Sequence, residues 1–106
     1  MLIWIFDLDH TLYHMQEPFL YSKLKQDKYL DFLLSMIPGK KVIFTNATLD
    51  HAELCLNIIG IRNHFSVIEA RDTLNGLKPD PIVFKSFIQK MDIKKNDLCV
   101  FFDLGR

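Results

Sequence analysis

What this 106-residue chain most plainly lacks is an excess of charge of either sign: 13 Lys and Arg stand against 13 Asp and Glu, for a formal net charge of zero. Without a basic footprint there is no electrostatic reason to expect nucleic acid or an anionic membrane as partner, so any anion site has to be local. Cysteine is scarce. Cys55 and Cys99 form no CxxC pair and have no histidine at zinc-ligand spacing, so each reads as an unpaired core thiol suited to a reducing compartment. Long apolar runs are missing as well. The N-terminal run Met1–Phe6 is too short for a signal segment, has no basic stretch before it, and meets Asp7 and Asp9 at once, so a cytoplasmic location is expected. No repeat, low-complexity tract or linker interrupts the chain, and its length suits a single domain over residues 1–106.

What is present is apolar: 49% of residues are hydrophobic and 12% aromatic, nine of them Phe. That content excludes disorder, and a chain of this size buries roughly two-thirds of its unfolded surface. Unbroken apolar runs of strand length fall at Leu2–Phe6, Val42–Phe44, Val67–Ile68 and Leu98–Phe102, the pattern of strands buried on both faces. Helix-length stretches lie between them, at about Lys23 to Ile37, about Leu49 to Ile59, and Pro81 to Met91. Alternation of this kind predicts an α/β fold, a Rossmann-like three-layer arrangement in which crossover helices flank a parallel sheet.

The few glycines and prolines act as punctuation. Pro38-Gly39 stops the first helix, and Gly60 stands where a left-handed residue would end the second. Asp80 and Pro81 take the N-cap and first position of the third helix, whose Phe84, Phe87, Ile88 and Met91 are expected to face the core. Between Leu12 and Lys40 only 29 residues are available. They suffice for a short turn and a helix, so residues 12–40 stand in place of any independent lid.

Three of the four apolar runs end on an oxygen-bearing side chain: Asp7, Thr45 and Asp103. In an open parallel sheet the ligand crevice lies beyond the carboxyl ends of the strands, so these three residues are expected to converge there. Asp9 follows Asp7 by two, and Lys78 can enter from the loop ahead of the third helix. Carboxylates crowded into one crevice repel each other, and a divalent cation that prefers hard oxygen relieves the repulsion; Mg2+ is the natural candidate. Lysine and a hydroxyl beside that cation would seat a phosphoryl group. One carboxylate can then attack phosphorus in line, while the other protonates the leaving oxygen and later activates water. Taken singly, each residue has a plainer role: Asp at a strand end forms turns, Thr45 or Asp50 can cap the second helix, and Lys78 can be a solvated surface charge.

Four ordered segments resemble the motifs of the haloacid dehalogenase-like (HAD) hydrolases: Phe6-Asp7-Leu8-Asp9-His10-Thr11-Leu12, Phe44-Thr45-Asn46-Ala47, Leu77-Lys78-Pro79 and Phe101-Phe102-Asp103. The stretch Thr45-Asn46-Ala47 with His51-Ala52, Leu56, Gly60-Ile61 and Phe65 is similar to the pyrimidine 5′-nucleotidase-like branch in particular. The resemblance implies Asp7 as nucleophile and metal ligand, and Asp9 as general acid/base and a ligand through its carbonyl. It further implies Thr45, Asn46 and Lys78 as phosphate binders and Asp103 as a further metal ligand. An acid at position 9 favours a phosphatase acting through an aspartyl-phosphate, with nucleotides or another small phosphorylated metabolite as substrate.

Against the family pattern, no acid stands at Leu104, Gly105 or Arg106 after Asp103, and a minimal cap and truncation before the usual C-terminal βα unit are expected. These departures support an alternative, a truncated HAD-like domain of weak or no activity that binds phosphate or a protein partner. They also leave Leu98–Phe102 as an apolar edge, through which a homodimer is expected. Tyr13, His10 and His14 are expected to be exposed turn residues, and His51 a first-turn residue of the second helix.

Overall fold

A computed structural model of the chain describes residues 1–9, 11–13 and 20–102. Its strands are β1 (Leu2–Phe6), β2 (Lys40–Phe44), β3 (Val67–Glu69) and β4 (Leu98–Phe102). The helices are α1 (Lys28–Ser35), α2 (Leu49–Ile59), the single turn α3 (Arg71–Leu74) and α4 (Pro81–Met91). All four strands pair in parallel, in the order β3-β2-β1-β4. This is the Rossmann-like α/β architecture expected from the alternation of apolar runs.

The period of two along each strand sorts side chains onto the two faces of the sheet. Phe6, Ile43 and Ile68 point into a core with Leu34 of α1 and with Ala52, Cys55, Leu56 and Ile59 of α2. Ile3, Ile5, Val42 and Phe44 point the other way, onto Leu74, Val83, Phe87 and Met91 of α3 and α4. The chain steps from β1 through β2 to β3 with its helices on one face, then returns past β1 to β4 with its helices on the other. Crossovers of one constant hand require that change of face when the direction of travel reverses.

Several expectations shift at the boundaries. The first helix is shorter than Lys23 to Ile37, because the side chain of Asp27 accepts the N–H of Leu30 and so starts α1 at Lys28. A 3-10 turn, Tyr21–Lys23, precedes it. On α4, Val83 takes the core place expected of Ile88. Val83, Phe87 and Met91 recur every four residues on one face, whereas Ile88 lies one residue further round and is exposed. Both expected stop signals are present: Gly60 closes α2 in the left-handed conformation, and Gly39 has φ of +97° with Leu2 O only 2.7 Å from where a Cβ would sit. Cys55 and Cys99 are both free. β4 is an outer strand, with Leu98, Phe101 and Phe102 exposed. Among the described residues, no helix is long and apolar enough to cross a membrane.

Candidate active site

Strand order reverses between β1 and β4, and the crevice of an open parallel sheet opens at such a switch point, past the carboxyl ends of its strands. Asp7 is the first residue beyond β1, and its N–H extends the ladder by donating to Phe102 O at 2.8 Å. Thr45 holds the equivalent place after β2, donating to Glu69 O at 3.0 Å. Both are buried, Asp7 at 5% exposure and Thr45 at 2%.

Lys78 reaches this floor from the loop between α3 and α4. Its ammonium lies 3.4 Å from Asp7 Oδ1, donates to Phe44 O at 2.8 Å and sits 4.9 Å from the centre of the Phe44 ring. The same Asp7 oxygen accepts the N–H of Leu8 at 2.8 Å. A surface lysine would be hydrated, but this side chain is 10% exposed, so its charge is compensated by a carboxylate, a carbonyl and an aromatic face. Of the roles considered for Lys78, the solvated surface charge is therefore overturned.

Asn46 fixes the loop that carries this lysine. Its Oδ1 accepts the N–H of Lys78 at 2.7 Å and its Nδ2 donates to Lys78 O at 3.3 Å, so one amide grips both backbone groups. Thr45 Oγ1 accepts the N–H of Ala47 at 3.0 Å, which uses an acceptor site and leaves the hydroxyl hydrogen to donate. The cap of α2 is Thr48, which accepts from His51 N; Thr45 and Asp50 do not serve there. The structure joins Asp7 to Lys78 and Lys78 to Asn46, and it places Thr45 at the end of the neighbouring strand. Asp103, His10 and His14 lie outside the described residues.

Asp9 sits to one side of this floor, in a polar cluster that periodicity did not disclose. Its Oδ1 accepts the hydroxyl of Tyr13 and meets His51 Nε2 at 3.2 Å. On the other side of the imidazole, Nδ1 is 2.8 Å from the hydroxyl of Tyr21. Tyr13 is therefore no exposed turn residue: it packs on the α1/α2 core and turns its hydroxyl to Asp9. His51 is in the first turn of α2 as expected, yet it also binds across to the first loop. The available signal was its place four residues before Cys55, on the buried stripe of α2.

Burial, followed by the hydrogen bonds with Asp9 and Cys55, holds the Tyr13 phenol well above its ordinary pKa of 10, so its hydroxyl remains a donor. Burial likewise pushes the Cys55 thiol up, opposed by the Tyr13 hydrogen bond and reinforced by the charge of Asp9. Cys55 Sγ and Asp9 Oδ1 both meet His51 at Nε2, 3.5 and 3.2 Å away.

A second feature missed in the sequence is Glu69, a further acid at a strand end. It is buried, accepts the hydroxyl of Thr73 at 2.7 Å and lies 3.5 Å from Lys90 Nζ, so it secures α3 and α4 to the sheet. Thr11 Oγ1, in the loop after β1, is buried with no hydrogen-bond partner among the described residues. Among those residues, no group of three His, Cys, Asp or Glu side chains could hold a metal ion. Asp7 nonetheless presents the hard, anionic oxygen that Mg2+ prefers, and Mg2+ commonly keeps several waters and needs few protein ligands.

A family model for haloacid dehalogenase-like hydrolases matches residues 38–104. The matched span includes Thr45, Asn46 and Lys78 and begins after Asp7 and Asp9. No curated protein matches the chain.

Proposed function

Because the chain belongs to the haloacid dehalogenase-like hydrolases, we propose that it is a Mg2+-dependent phosphatase that hydrolyses small phosphate monoesters through Asp7. The observation that carries this reading is the buried pairing of Asp7 with Lys78, 3.4 Å apart at the strand-order switch. A carboxylate held there is desolvated, which favours nucleophilic attack, and the ammonium beside it attracts a dianionic phosphoryl group.

In the proposed reaction, Lys78 and the Thr45 hydroxyl bind phosphoryl oxygens while Asn46 keeps the Lys78 backbone in place. An Asp7 oxygen attacks phosphorus in line. The bond to the ester oxygen breaks, and its electron pair leaves with that oxygen, which takes a proton from Asp9. Asp9, now ionised, removes a proton from water as the water attacks the aspartyl-phosphate, releasing phosphate and restoring Asp7. Mg2+, when bound by Asp7, the Asp9 carbonyl and Asp103, supplies neutralising charge to the phosphoryl oxygens. The nucleotidase-like spelling around Thr45-Asn46-Ala47 supports nucleoside monophosphates among the candidate substrates.

The test is hydrolysis of a generic aryl phosphate by the native chain and by Asp7→Asn, each with and without Mg2+. The native chain is expected to turn over only with Mg2+, and Asp7→Asn to fall to the uncatalysed background. Equal background rates for both would overturn the enzymatic reading in favour of the alternative, an inactive HAD-like domain that binds phosphate or a protein partner.

A further inference from the structure

Among the described residues, Asp9 is held through one oxygen. The Tyr13 hydroxyl and His51 Nε2 converge on Oδ1, while Oδ2 has no hydrogen bond to any described residue. A carboxylic acid carries its proton on one oxygen and accepts through the other. With two donors directed at Oδ1, the proton has its place on Oδ2. Nδ1 of His51 lies 2.8 Å from the hydroxyl of Tyr21, which can donate to it, and the ring hydrogen is then assigned to Nε2, facing the carboxylate. The cluster is tied to the fold from both sides, since Tyr13 packs in the α1/α2 core and His51 sits in the capped first turn of α2.

We propose that Tyr13 and His51 are positioning residues for the acid–base carboxylate, fixing Asp9 by Oδ1 so that Oδ2 delivers the proton to the leaving oxygen. The proposal rests on the phosphatase function set out above. As the ester bond breaks, the Oδ2 proton moves to the departing oxygen, and the charge left on Asp9 is met at Oδ1 by two hydrogen bonds already in place. Hydrogen bonds to a charged acceptor are stronger than those to a neutral one, so the pair stabilises Asp9 more after the transfer than before it. When Oδ2 takes the proton of the attacking water, the same contacts return to their first state.

Leaving-group dependence tests the proposal, because only poor leaving groups need that proton. The quantity to compare is kcat/KM, which covers the steps through departure of the leaving group, for a simple alkyl phosphate and for dinitrophenyl phosphate. Measurements on the full chain with Mg2+ would include Tyr13→Phe, His51→Ala and His51→Gln. For the alkyl ester, Tyr13→Phe and His51→Ala are expected to lose about 10- to 100-fold, part of the gain that general acid catalysis supplies. For the dinitrophenyl ester the loss should stay within about threefold. His51→Gln keeps an N–H donor near the Nε2 position and should recover most of the alkyl activity.

Equal losses on both esters, or no loss on either, would overturn the positioning role while leaving the phosphatase function intact. A native chain inactive on both esters would overturn the two together.

Discussion

Lys78 shows how one residue can hold the floor of a site together. Its ammonium joins the carboxylate after β1 to the last carbonyl of β2, and its side chain is almost out of water. Replacing it with Met keeps the bulk and removes the charge from beside a buried carboxylate. Breaking such a pair from one side typically costs about 3 kcal/mol. Lys78→Met is therefore expected to unfold in urea with about that much less stability than the native chain, and a loss below about 0.5 kcal/mol would show that the two charges do not rely on each other. The placement of Asp7 and Thr45 at strand ends and of Lys78 in a loop is legible, because strand ends and a loop lysine leave marks in a linear pattern. The company kept by Asp9 is not. His51 lies 42 positions away from it, and nothing in local periodicity states that two such residues meet.

At the scale of elements, caps decided what could be read. The limits of α4 agree with the sequence because Asp80 and Pro81 spell a start, and the Asp80 side chain accepts the N–H of Ile82 at 2.9 Å. Asp80→Ala removes that acceptor and is expected to lower stability by about 1 kcal/mol, measurable as a shifted denaturant midpoint with an unchanged slope. For α1 the cap is masked in the sequence: Asp27 lies inside a stretch whose apolar spacing runs on to both sides, and the periodic signal outweighs the local one. The single turn α3 leaves no mark in the sequence pattern. Four residues are too few for a periodic pattern, and Ala70 offers no capping side chain, so the Thr73 hydroxyl accepts the Ala70 N–H instead.

For the molecule as a whole, the order of strands turns a list of motifs into a crevice. The apolar runs foretold a parallel sheet but not which strand lies beside which; that follows from how both faces are covered. Closure of the sheet on the β4 side uses Asp97, which accepts the backbone N–H of Lys94 at 2.8 Å and the terminal ammonium of Met1 at 3.1 Å. Those contacts, the Lys94 bond first, hold its carboxyl below the ordinary value of 3.8. A carboxyl with a lowered folded-state pKa contributes stability in full above its unfolded value and loses it as pH falls through the folded one. Asp97→Asn should accordingly be the less stable protein at neutral pH. Its deficit in thermal unfolding should narrow as pH drops below 3.8, and a deficit independent of pH would refute this account.

The amide of Asp7 is satisfied by Phe102, the final residue of a strand that, among the described residues, pairs on one side alone. Peripheral strands are the first to come loose in local opening. The atom proposed to attack phosphorus therefore has its backbone anchored to the rim of the sheet rather than to its middle. Anything that steadies or loosens that rim would change the rate of the chemistry without ever entering the crevice.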